Sequence, residues 1–308
     1  LKSYVHWDDM GEEGTRKAIE YLNLAIEKDP EWAPLWSGLA QAIGVRIQFG
    51  FDPVETALPK VYEYLNRALV LDPDYADIHF NNAIFGTFTE WNWEKGEQEF
   101  LQAIAINPND PMSRVIYAHL LSCLQRGDEA LTQGKLAVEL DPFNPTIQSM
   151  FGAVLAQNGK WEASLLHLEK AIAIDPDHYL AYNLLDNVAY HCGEYDKVFY
   201  ALRYLFPFEE KFWDSNYTIY QDQGFEMAYE KVLDQLELHG GVLPSMMANR
   251  YKVLHQYDKV LDWLERGYEM HDSNMPYILT RVTSYDSIYD HPRFMAIIEK
   301  MNLPLPTN

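Results

Sequence analysis

Ala103-Ile104-Ala105-Ile106-Asn107-Pro108 is answered thirty-four residues later by Ala137-Val138-Glu139-Leu140-Asp141-Pro142. Each phrase is a run of helix formers closed by an Asx-Pro pair. Proline has no N–H to give to a helix, and its ring crowds the preceding turn, so the pair reads as a stop. The same phrase stands at 25–30, 68–73 and 171–176, which places prolines at 30, 73, 108, 142 and 176, spaced 43, 35, 34 and 34 residues apart. A fixed period in this range predicts stacked supersecondary units, each too small to bury its own apolar face, in place of a globular core around one site.

Working outward from the prolines, an alanine stands five residues before each: Ala25, Ala68, Ala103, Ala137 and Ala171. Eight before stand Leu22, Leu65, Phe100, Gly134 and Leu168, mostly large. Ten after stand Ala40, Ala83, Ala118 and Gly152, again small, and Asp186 breaks that rule. Small residues at helical spacing let helix axes approach while bulky neighbours fill the gaps. Each unit therefore reads as helix A, short turn, helix B, Asx-Pro turn. Asp110-Pro111 and Asn144-Pro145 read as an N-cap followed by the first helical residue.

These residues resemble the tetratricopeptide repeat, a 34-residue helix pair with small residues where helices cross and a proline at its end. Gly193 and Tyr195 before Val198, and Tyr257 before Val260, match that family's turn into helix B. The resemblance implies an all-α right-handed superhelix of about seven or eight helix pairs over residues 1–274. The units fall at about 1–32, 33–75, 76–110, 111–144, 145–178, 179–208, 209–240 and 241–274, the first truncated. The 33–75 unit is nine residues too long, and the excess is expected between its helices, around Gln48-Phe49-Gly50-Phe51-Asp52-Pro53, within 47–58. Residues 275–308 are expected to cap the last repeat through an amphipathic helix opening at His291-Pro292-Arg293-Phe294 and ending near Leu303.

A finer resemblance lies in Glu90-Trp91-Asn92-Trp93 leading to 103–108, in Leu58-Pro59-Lys60 before 68–73, and in the phrase from His291 to Leu303. They are similar to bacterial signalling proteins in which such repeats follow a winged-helix regulator or a nucleotide cyclase. That implies a scaffold or sensor portion of a regulatory protein. The chain begins at Leu1, not Met, so an upstream anchor or effector is an expectation.

Composition narrows the partner. Lys and Arg number 24 against 46 Asp and Glu, a formal net charge of −22. Phosphate backbones and anionic lipids must be met by Lys and Arg, so nucleic acid and membrane surfaces are disfavoured partners for this region. The charge favours solubility, or attraction of a basic partner. No apolar run approaches the length of a membrane span. Cys123 and Cys192 lie in different repeats and form no disulfide framework, which fits the cytoplasm, with the periplasm as the alternative.

No phosphate loop, zinc helix, Cys-x-x-Cys or nucleophile elbow is present, so the chain reads as non-enzymatic and without cofactor. His119 and Cys123 are four apart, and His191 and Cys192 are adjacent, but a whole repeat separates the two groups, which argues against a shared metal. Trp36, Trp93 and Trp161 read as packing rings. The inner side of the A helices is expected to carry Ser37, Gln41, Phe80, Ile84, Phe88, His119, Asn183, Asn187 and Tyr190. Asn183 and Asn187 share a helix face, and their amides suit an extended peptide backbone. The resemblance also implies a carboxylate-gripping site of Lys, Arg and Asn, but Ser37, Phe80 and Val115 stand where Lys would be expected. The groove therefore reads as neutral and aromatic, suited to a peptide or protein partner that is basic or apolar, or else to a small sugar or peptide ligand sensed by the repeats.

Overall fold

The computed structural model describes residues 12–48, 51–283 and 285–305. Phe49 and Gly50 of the expected insertion and residues 1–11 of the first unit lie outside the described residues. Among the described residues every regular element is helical. In order they are α1 (Glu12–Ile26), α2 (Ala33–Gln48), α3 (Val54–Leu71), α4 (Ala76–Ile84), α5 (Trp93–Ile106), α6 (Pro111–Cys123), α7 (Gly127–Leu140) and α8 (Pro145–Gln157). There follow α9 (Trp161–Ile174), α10 (Tyr179–His191), α11 (Tyr195–Leu205), α12 (Glu210–Gln223), α13 (Phe225–His239), α14 (Pro244–Val253), α15 (Tyr257–Glu269) and α16 (Pro292–Lys300). A π-helical turn, Phe85–Thr89, continues α4, and Met275–Leu279 forms a 3₁₀ turn. The chain divides between Ser113 and Arg114 into two compact units.

The repeated stop works through one hydrogen bond. The Asx N–H donates to the carbonyl four residues back, from Asp29 to Ala25, Asp72 to Ala68, Asn107 to Ala103, Asp141 to Ala137 and Asp175 to Ala171, at 2.9–3.1 Å. The proline that follows cannot donate the next bond, so the chain leaves the helix there. Restart is equally local. The Asp110 carboxylate accepts from the Ser113 N–H at 2.8 Å, and the Asn144 side chain accepts from the Thr146 and Ile147 N–H groups at 3.0 and 3.2 Å. These are N-caps that satisfy donors a helix start leaves open.

Close approach uses the small positions. Ala40, Ala83, Ala118, Ala68, Ala103, Ala137 and Ala171 are all fully buried. A Cβ on Gly152 would come within 3.4 Å of the Ser164 carbonyl oxygen and 3.0 Å of the Leu168 side chain. Gly134, the exception among the large positions, is covered by the Phe151 ring, which a Cβ at 134 would strike. The volume lost on one helix is supplied by its neighbour.

The excess of the 33–75 unit is distributed differently from the expectation. α2 has 16 residues and α3 has 18, against 13 in α8 and 14 in α9. Most of the nine residues lengthen the helices, and the connection 49–53 stays short. Pro59 lies inside α3 as its sixth residue, where the lengthened helix forgoes the bond an N–H there would give to the Glu55 carbonyl.

In the first unit Leu22, Leu39, Val61, Leu65, Ile78 and Phe85 form one buried cluster. In the second, Leu121, Ile147, Leu168, Leu185, Leu202 and Leu264 are buried along the chain. α16 packs against α15. His291 is its N-cap, Phe294, Ile297 and Ile298 are buried, and Arg293 holds Glu265 and Asp262 of α15 at 2.6–2.7 Å.

Candidate functional site: the A-helix faces

In the first unit the candidate side chains come from α2, α4 and the π-helical turn. Ser37 is not open to a ligand: it is buried, and its hydroxyl accepts from the Asn81 amide at 3.0 Å. It joins α2 to α4, which corrects its placement on an accessible wall. Gln41, Phe80, Ile84 and Phe88 remain half-buried. Phe80 meets Phe100 edge-on at 6.2 Å. The π-turn follows from local packing. Glu90 N–H reaches back five residues to the Phe85 carbonyl at 2.9 Å, and Gly44 of α2 leaves the room that the Phe85 ring fills. The extra residue in the turn resets the register that carries Phe88.

In the second unit the face of α6 is closed. His119 is 4% exposed, with Nε2 at 3.1 Å from the Met150 carbonyl and Nδ1 at 3.0 Å from the Gln157 amide. The Tyr277 ring stands edge-on to it at 5.8 Å. Gln125 donates to the Leu279 carbonyl at 3.1 Å, and the Arg281 N–H donates to the Gln157 carbonyl at 3.0 Å. Farther on, Lys252 donates to the Thr283 carbonyl at 2.6 Å, and the Tyr285 hydroxyl donates to Asn249 at 3.0 Å. Residues 275–283 and Tyr285 thus lie across α6, α8 and α14. His119, expected on an open groove, sits beneath the protein's own chain. The physical reason is apolar: Met275, Ile278 and Tyr285 are buried there, which an end cap alone would not achieve.

Burial sets the chemistry of these groups. It holds the His119 imidazole down at about 4, against a weaker opposing pull from the Met150 carbonyl, and His191 down at about 4. It pushes the Cys123 thiol up. His191 stacks on Trp161 with ring centres 3.9 Å apart. Among the described residues no group of three or more His, Cys, Asp or Glu side chains could hold a metal ion.

On α10, Asn183 and Asn187 are half-buried, and Asn187 Oδ1 has no hydrogen-bond partner. Tyr190 stacks at 5.6 Å on Phe225, which lies 4.3 Å from Tyr195. Tyr190 therefore belongs to an aromatic cluster. Asp186, the exception among the small positions, accepts from Arg250 of α14 at 2.8 Å, with both side chains 8% exposed or less. Burial pushes its carboxyl up, opposed by the Arg250 charge and by the Asn187 N–H. No sequence period could have paired two residues 64 apart.

The helix pairs, Asx-Pro stops and small crossing residues define an all-α fold of the tetratricopeptide-repeat type. No protein-family model matches the chain, and no curated protein matches it. Among solved structures it is similar to human IFIT1 held with PPP-AAAA, at 19% identity over 84% of this chain and 69% of that one, TM-score 0.56. It also matches PilW, a type IV pilus biogenesis factor, at 15% identity over 86% and 98%, TM-score 0.49. A third is YrrB, a TPR protein with an unusual peptide-binding site, at 19% identity over 61% and 91%, TM-score 0.39. The IFIT1 likeness is one of fold.

Proposed function

We propose that the chain is a non-enzymatic scaffold that binds a peptide or protein partner on its A-helix faces. One observation carries this reading: Phe80, Ile84 and Phe88 are four residues apart, half-buried, and run from α4 into a π-helical turn. An apolar row of that kind fits a partner's apolar side chains, and π-turns are concentrated at functional positions. Gln41 of α2 and Asn183 and Asn187 of α10 supply amides that can meet a peptide backbone. The α6 face is left out of the site because Tyr277 covers it.

IFIT1 was seen with PPP-AAAA, but a net charge of −22 gives this chain little to offer phosphates, which supports a protein partner over a phosphate-rich one. A bacterial signalling or regulatory setting is part of the proposal and rests on the resemblance of residues 58–73, 90–108 and 291–303. Cytoplasmic placement belongs to the same reading.

The test uses peptides selected on the wild-type protein from a random display library. F80A/F88A should weaken them at least tenfold with unchanged helical circular dichroism, and N183A/N187A should weaken the subset that binds the α10 face. Selected peptides bound equally by both variants would reject the A-helix faces as the site.

A further inference from the structure

Away from the A-helix row, the second unit holds a cleft of about 390 Å³ lined by Asp196, Phe199, Tyr200 and Arg203 from α11 and by Trp213, Asp214, Asn216 and Tyr217 from α12. The spacings explain the lining. Positions 196, 199, 200 and 203 share one helical face, as do 213, 216 and 217, so each helix turns a single stripe toward the other. Asn216 is pinned by donating to the Ala228 carbonyl at 2.7 Å. Tyr200 and Tyr217 are more than half exposed, so their rings are accessible.

The lining has an unusual balance of groups. Two carboxylates and two accessible phenol rings share it with one cation, Arg203, whose charge is taken up by Glu210. Trp213 is 5% exposed, and its indole N–H has no acceptor. Aromatic faces attract cations through their quadrupole. Carboxylates match a guanidinium in charge and, through two parallel hydrogen bonds, in shape.

We propose that this cleft binds an arginine side chain of a basic partner peptide. The guanidinium stacks on Tyr200 or Tyr217 and pairs with Asp196 or Asp214. The site is separate from the A-helix row and does not depend on it. The long-range field of an acidic chain brings a basic peptide near, but only the cleft distinguishes arginine from other cations.

The probe is a fluorescein-labelled peptide of three Gly-Arg repeats, compared with Gly-Lys and Gly-Gln repeats, on the full chain. Wild type should bind the arginine peptide at least fivefold tighter than the lysine one and should shift the Trp213 indole N–H resonance. D196N/D214N, which removes 2 of 46 carboxylates, should weaken arginine binding tenfold or more, where diffuse attraction would barely change. Y200A/Y217A should erase the preference for arginine over lysine. W213F should remove the shifted resonance, which assigns it to the ring lining the cleft, with circular dichroism confirming that it folds. F80A/F88A should leave all of these intact, which separates this site from the proposed peptide row. Equal binding of arginine and lysine peptides, an unmoved Trp213 resonance, or undiminished binding by D196N/D214N would each overturn the proposal.

Discussion

The Asp186 carboxylate and the Arg250 guanidinium meet at 2.8 Å inside the second unit, 64 residues apart in sequence. Asp186 takes the place that alanine or glycine holds in four other units, and Arg250 fills the room beside it. Arg250 also donates to the Met246 carbonyl at 3.2 Å and lies over the Phe206 ring. Removing one partner would leave the other charge buried alone. D186A should therefore destabilise the second unit by about 3–5 kcal/mol, and D186A/R250M should recover most of it. Urea unfolding of the single and double variants measures this, and a double variant as unstable as D186A would show that the pairing is not what matters.

His119 gives the fold an acid-sensitive point. Its imidazole is held at about 4 by burial, against an ordinary value near 6.5. Between those values the folded state binds fewer protons than the unfolded one. The contribution is therefore complete above pH 6.5 and is lost as pH falls toward 4, about 3 kcal/mol in all. H119Q should lose less stability than wild type between pH 7 and pH 4.5, with His191 leaving part of the slope in place. Parallel curves for the two proteins would contradict the assignment.

Tyr277 seals the α6 face, so Y277A should open a cavity above His119. The expected loss is about 3–5 kcal/mol. Water reaching the ring should also raise the His119 pKa toward its ordinary range, which a proton NMR titration follows. A destabilised variant whose His119 still titrates near 4 would mean that α8 alone desolvates it.

Gly134 and Phe151 complement each other in volume. G134A should cost about 1–3 kcal/mol by overpacking, and G134A/F151L should regain part of it. Thermal unfolding reads both, and additive losses would argue that the ring at 151 is not the obstacle.

The Asx-Pro pairs and the caps at Asp110 and Asn144 were legible because each acts within four residues, through a backbone bond or an absent N–H. Helical period places Phe80 and Ile84 on one face of α4, but it carries no sign of the π-helical turn that holds Phe88. Ser37 and His119 were misplaced because period identifies a helix face and cannot reveal what another segment lays over it. The cleft carried a faint signal in the spacing of Asp196, Tyr200 and Arg203, with no hint that Trp213 and Tyr217 would stand opposite.

The amino-acid order alone determined the all-α repeat, its helix starts and stops and its small crossing positions, since these depend on hydrogen bonds and volumes within one or two turns. Tertiary structure decided the rest. Asp186 found Arg250, the nine extra residues went largely into longer helices, and residues 275–283 folded back over α6, α8 and α14. Those outcomes turn on desolvation and apolar burial between segments far apart in the chain, and such pairings leave no periodic trace.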